Sequence, residues 1–120
     1  MAENPKSQII IYHNTRCSKS RCALEILQEK KEKIKIVEYL KTPPSEKELK
    51  DILQKLGMKA EQIVRTKEEL FLKKFSGKRF SEKEWLKILV KNPILIERPI
   101  VIKGSKAIIA RPPEKVETFL

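Results

Sequence analysis

Apolar positions along this chain come in two spacings, and the switches between them outline its elements. A continuous run, Ile9-Ile10-Ile11-Tyr12, makes Gln8–Tyr12 a strand. From Ser18 the spacing becomes helical, with Leu24, Ile26 and Leu27 as the apolar stripe, which predicts a helix over about Ser18–Lys31. Ile34, Ile36 and the stretch Val37–Tyr39 alternate in part and read as a second strand. A β-α-β unit this short implies two parallel strands with a right-handed crossover.

Leu40-Lys41-Thr42-Pro43-Pro44 breaks the pattern. Ser45 followed by Glu48 forms a capping box, which starts a helix over Glu46–Leu56 that stops at Gly57. Ala60–Lys91 reads as further helix, with Ser81 and Glu84 as a second capping box ahead of Trp85, Leu86, Ile88 and Leu89. Ile100–Lys103 and Ala107–Ala110 read as strands joined by the Gly104-Ser105 turn, an antiparallel hairpin. Pro112-Pro113 opens a last helix ending at Leu120. The order is β-α-β, an all-helical insert over about residues 45–92, then β-β-α. This is an α/β, thioredoxin-like arrangement: a four-stranded mixed sheet flanked by helices, in a single domain over residues 1–120.

The net charge of +11 changes this picture little. The lysines are spread along the chain and mixed with glutamates, as in Lys30-Lys31-Glu32-Lys33, without interleaved aromatics. That is the pattern of a solvated surface, not of a nucleic-acid footprint, although such a field draws in small anions. The start Met1–Ser7 is polar, and no apolar run approaches the roughly 20 residues a bilayer needs. The expectation is a soluble, cytoplasmic protein without membrane or nucleic-acid partners. Two cysteines in such a chain read as reduced thiols.

Cys17 carries the clearest chemical signal. It lies where the first strand gives way to the first helix, after the polar loop Asn14-Thr15-Arg16. A thiol there faces free backbone N–H groups and the positive end of a helix, and Arg16, Lys19 and Arg21 add charge. These influences favour thiolate, and the same N–H groups would cradle an oxyanion. A dithiol redox motif would place its second cysteine three residues on, where Ser20 stands. Cys22 is five residues on; it reads either as a helix packing residue or as a resolving thiol reachable only by unwinding the helix start. His13 is either a hydrogen-bonded structural residue or, as imidazolium, a support for the thiolate. One histidine and two cysteines make no recognisable metal-ligand set. Arg65, Arg98 and Arg111 fall in loop-like contexts. Arg98 and Arg111 each precede a proline at an end of the hairpin, and an arginine fork suits a tetrahedral oxyanion.

Four ordered motifs carry a resemblance: Tyr12-His13-Asn14-Thr15-Arg16-Cys17-Ser18-Lys19-Ser20-Arg21, Glu38-Tyr39-Leu40-Lys41-Thr42-Pro43-Pro44, Leu56-Gly57-Met58, and Pro93 to Val101 continuing through Ala110-Arg111-Pro112. Over Ile9 to Leu120 the chain resembles the glutaredoxin-dependent arsenate reductases, relatives of the Spx-type regulators. The resemblance implies a thioredoxin-like fold with a helical insert. It implies Cys17 as nucleophile, Arg65, Arg98 and Arg111 as oxyanion-binding arginines, Pro99 as a cis-proline beside the site, and His13, Asn14, Ser20 and Arg21 as supporting residues. It further implies a thiol-arsenate adduct on Cys17, resolved by glutathione as co-substrate and cleared by glutaredoxin, in a monomer that binds no metal or cofactor.

Two positions depart from the family pattern. Thr15 stands where a proline is usual, and Cys22 is unusual. Two other functions fit the same resemblance: a glutathione-dependent thiol/disulfide reductase without physiological arsenate activity, and an Spx-like regulator that binds RNA polymerase. The regulators typically carry a C-x-x-C pair, which Ser20 breaks here.

Overall fold

The computed structural model describes residues 8–30 and 33–119. Its strands are β1 (Gln8–His13), β2 (Lys33–Glu38), β3 (Ile100–Lys103) and β4 (Lys106–Ile109). They form one mixed sheet in the order β2-β1-β3-β4, the thioredoxin-like arrangement expected from the sequence. β1 runs parallel to β2 and antiparallel to β3, and β3 is antiparallel to β4. The register has a direct consequence for chemistry. His13 pairs with Glu38, Tyr12 with Ile100, and Ile100 with Ile109. The residues after β1, after β2, before β3 and after β4 therefore meet at one end of the sheet.

Along β1, Ile9, Ile11 and His13 are buried in alternation, so they share one face. The helix α1 (Ser18–Glu29) lays Ala23 and Leu27 into the same core as Ile9 and Ile11, together with Val101, Ala110 and Val116. Full burial of each such Ile or Leu side chain stabilises the fold by about 1.5–3 kcal/mol. The C-terminal segment Pro113–Phe119, expected as an α-helix, is a 3-10 helix. Its two leading prolines supply no N–H, and the segment starts on a short bond from Lys115 N–H to the Pro112 carbonyl (3.0 Å). Residues 1–7, Lys31 and Leu120, which carry the polar start and two expected helix ends, lie outside the described residues.

The chain divides into two compact units, one taking the sequence up to Thr42 and from Arg98 onward, the other Pro43–Glu97. In the second unit, α2 (Glu46–Leu56) begins with the expected capping box: Ser45 Oγ accepts from Glu48 N–H at 3.1 Å, and Glu48 Oε1 accepts from Ser45 N–H at 2.8 Å. It ends at Gly57, whose φ of 69° is left-handed and suits glycine. The region Ala60–Lys91, expected as further helix, is three pieces: a 3-10 turn at Ala60–Ile63, α3 (Glu69–Lys74) and α4 (Glu82–Lys91), the last opening on the expected Ser81–Glu84 capping box. Val64 adopts extended backbone to bridge Ile96, and Gly77 takes a positive φ after α3, so the helical pattern is cut twice. The apolar face of α4, Trp85, Leu86 and Leu89, is buried, with Phe80 edge-on to Trp85. The Glu82 carboxylate accepts from Ala60 N–H at 3.0 Å and so ties the turn to the start of α4. Among the described residues no helix is long and apolar enough to cross a membrane.

Candidate active site

Cys17 is the residue on which α1 starts, and a local bond network shapes the loop that delivers it. Cys17 N–H donates to the Asn14 carbonyl (3.0 Å), and Asn14 Oδ1 accepts from Arg16 N–H (2.9 Å). Arg21 Nη1 reaches back to the Thr15 carbonyl (2.9 Å), so this exposed arginine holds the loop. The first turn of α1 contains no acidic residue, and its positive end is left uncompensated there.

Burial pushes the Cys17 thiol up, but other influences outweigh it and the net shift is downward. The backbone N–H of Ser20 counts most among these, followed by the Arg98 side chain and the N–H of Lys19. As a neutral thiol Cys17 makes no cap hydrogen bond. The surroundings thus favour the anion, which is the nucleophilic form.

Arg98 comes to Cys17 from the start of β3, through the register described above. Burial works against its charge, but the neighbouring Cys17 and the Tyr39 hydroxyl raise its pKa overall, so it stays a cation. Arg111 joins from the end of β4, where its Nη1 donates to the Arg98 carbonyl (3.1 Å). The Arg98–Pro99 and Arg111–Pro112 peptide bonds are both cis, and Pro99 is fully buried. The Pro99 carbonyl accepts from Ala110 N–H (2.9 Å), which ties the two arginine-bearing segments together.

His13, Asn14 and Ser20 form a buried set on the other side of the loop. His13 Nδ1 lies 2.6 Å from Ser20 Oγ, and that oxygen also accepts from Asn14 N–H (3.1 Å). Burial pushes the His13 ring down; Glu38 opposes this and Arg21 adds to it. Of the two readings of His13, the geometry favours the neutral, hydrogen-bonded ring. Ser20, fully buried, is held by its hydroxyl while its backbone N–H serves Cys17.

Arg65 belongs to the other unit. There its Nε donates to Glu68 Oε2 (3.1 Å) and its Nη1 to Glu97 Oε1 (3.4 Å), so two carboxylates engage its charge. Cys22 is a free, half-buried thiol that stands outside the apolar core. It lines a shallow groove of about 350 Å³ with Ser18, Lys19, Pro112, Pro113 and Glu114. Tyr39 was not singled out from the sequence as a site residue. The parallel pairing of β1 with β2 is the signal for it, because that pairing puts the residue after β2 beside the loop after β1.

A direct test of this field is alkylation. In a Cys22→Ser background, the rate of iodoacetamide reaction against pH should give Cys17 an apparent pKa below the free-thiol value of about 8.5. An ordinary value would remove the argument from the helix start and Arg98. Stability follows the same sign. The folded pKa lies below the unfolded one, so the contribution is present above the unfolded pKa and is lost as pH falls through the folded pKa.

Comparison with known proteins agrees with this geometry. The ArsC family model matches residues 12–119. An arsenate reductase of Haemophilus influenzae is 44% identical over 114 residues, covering 93% of this chain and 98% of the relative. The uncharacterized protein YfgD of Escherichia coli K12 is 44% identical over 111 residues, covering 91% and 93%. The solved structure of an arsenate reductase from Vibrio cholerae superposes with a TM-score of 0.89 at 37% identity, over 95% of this chain and 98% of that one. With sheet order, motif order and likeness over nearly the whole length in agreement, the chain belongs to the ArsC family.

Proposed function

We propose that this protein reduces arsenate to arsenite through Cys17, with glutathione and glutaredoxin supplying the electrons. The observation that carries the reading is the setting of Cys17: a thiol favoured as thiolate at an uncompensated helix start, with the Arg98 cation beside it. Names of relatives add support, since those from Haemophilus influenzae and Vibrio cholerae are arsenate reductases.

In this reading the Cys17 thiolate attacks arsenic, an S–As bond forms, and an arsenate oxygen leaves as water after protonation. Arg98 and Arg111 hold the oxyanion, and the Lys19 and Ser20 N–H groups stabilise the sulfur before attack. Arg65 is counted as a third oxyanion-binding arginine on the family resemblance alone; its guanidinium is engaged by Glu68 and Glu97. A glutathione thiolate then attacks the Cys17 sulfur. The S–S bond forms, the S–As bond breaks, and its electron pair passes to arsenic, which becomes arsenite. Each sulfur gives up one electron. A glutaredoxin thiolate finally takes the glutathione sulfur and frees Cys17. The protein acts as a cytoplasmic monomer and binds no cofactor of its own.

The test is arsenate-dependent NADPH oxidation in the presence of glutathione, glutathione reductase and glutaredoxin. Saturable turnover that needs glutaredoxin is expected; no turnover at any arsenate concentration would reject the reading. The engagement of Arg65 by two carboxylates favours a second reading, a glutathione-dependent disulfide reductase, since such a substrate carries less charge for a third arginine to meet. Turnover of a mixed disulfide without arsenate turnover would select it.

A further inference from the structure

We propose that the groove between the start of α1 and the segment Pro112-Pro113-Glu114 is the seat of glutathione while its sulfur is joined to Cys17: Lys19 meets one of its carboxylates and Glu114 its ammonium group. The proposal rests on the glutathione step above, which both readings of the reaction share, and names the surface that receives this co-substrate.

Ser18, Lys19 and Cys22 share one face of α1, because residues three and four apart stack along a helix, and the first two directly follow the nucleophile. The facing wall, Pro112, Pro113 and Glu114, directly follows Arg111, whose Nη1 donates to the Arg98 carbonyl (3.1 Å). Both walls belong to one compact unit, and Ala23 and Leu27 of α1 share a buried cluster with Ala110 and Val116 from either side of the second wall. The groove measures about 350 Å³, inside the roughly 300–1,000 Å³ range of small-molecule sites. Its charges suit a short zwitterionic peptide. Among the described residues neither Lys19 nor Glu114 has an ion-pair partner, so one cation and one anion stand free on the rim. Glutathione brings two carboxylates, one ammonium group and a thiol between them. A second oxyanion seat would be poorly served here, because the Glu114 carboxylate repels a bare anion. Pro112 and Pro113 offer no N–H and present a stiff wall to the methylenes of the peptide. Ser18, Lys19, Pro112 and Glu114 are exposed, so a peptide held between them keeps its sulfur open to the glutaredoxin thiolate.

Cys22 lines the groove and reports on it. In a Cys17→Ser protein, S-methylglutathione should slow the iodoacetamide reaction of Cys22 saturably, and glutarate at matched ionic strength should not. Glu114→Gln gives the decisive sign. It raises the net positive charge, so a general attraction of anions would strengthen the protection, whereas loss of the ammonium partner should weaken it about two- to fivefold. Absent protection, equal protection by glutarate, or protection unchanged or strengthened in Glu114→Gln overturns the proposal. A second arm reads the sulfur chemistry in a Cys22→Ser protein. There the Cys17 thiolate attacks oxidised glutathione: a new S–S bond forms, the old one breaks, and a glutathione thiolate leaves with the electron pair. The rate of this attack relative to attack on uncharged 2-hydroxyethyl disulfide should fall about two- to fivefold in Glu114→Gln, and an unchanged ratio would overturn the proposal. Neither arm uses arsenate. A failure of the arsenate reading would show in the coupled assay alone, and the seat would still be judged by protection and by the ratio.

Discussion

Cys17→Ser should lose arsenate-dependent NADPH oxidation by at least about three orders of magnitude while its thermal midpoint stays close to that of the unaltered protein. Both electron flow and nucleophilicity require sulfur at this position. A serine alkoxide is not populated near neutral pH, and even an arsenate ester on serine could not proceed, because its oxygen cannot bond to glutathione sulfur and leave an electron pair on arsenic as the S–S step does. The fold has little reason to respond. Cys17 is half-buried, makes no cap hydrogen bond as a thiol, and stands outside the apolar core. Serine is itself a favoured helix-starting residue, so the variant should gain a cap interaction of order 1 kcal/mol. Coupled-assay rates beside a thermal melt check both halves. Retained turnover would remove Cys17 from the reaction, and a collapse of the melt would make the loss uninformative about chemistry. Cys22→Ser in parallel decides the role of the second thiol: loss of turnover there as well would require a Cys17–Cys22 relay.

The Cys17 junction was legible in the sequence because it depends on neighbours in the chain. A strand, a short polar loop and a helical stripe in succession place a thiol at a helix start whatever the rest of the fold does. The two capping boxes and Gly57 were legible for the same reason. The middle of the chain was read less well. Helical spacing persists through Ala60–Lys91, but the pairing of Val64 with Ile96 joins residues far apart in sequence and overrides that spacing locally. Arg98 and Arg111 were marked by their prolines and by resemblance, whereas their approach to each other follows from pairing β3 with β4. The placing of Tyr39 at the Cys17 end of the sheet and the bond between His13 and Ser20 were out of reach. They depend on register, and a slip of one residue in β2 or β1 would turn each of those side chains to the opposite face.

Arg98→Ala should lower arsenate kcat/KM by about 100- to 1,000-fold and raise the apparent pKa of Cys17. Two separate losses are combined in that figure, and pH separates them. Arg98 helps hold the Cys17 thiol down, so at a pH below the new value much of the variant's sulfur is protonated and idle. Raising the pH restores the thiolate but cannot restore the donor edge that held substrate oxygen. The ratio of unaltered to variant kcat/KM should therefore shrink with rising pH and level off well above one. The plateau reports oxyanion binding, and the part that titrates away reports thiolate stabilisation. A ratio that falls to one at high pH would confine Arg98 to tuning the thiol, and a ratio flat across the range would confine it to the substrate. Equal rates at every pH would leave Arg98 with no part in the reaction, and with it the site built around Cys17 would lose its principal cation.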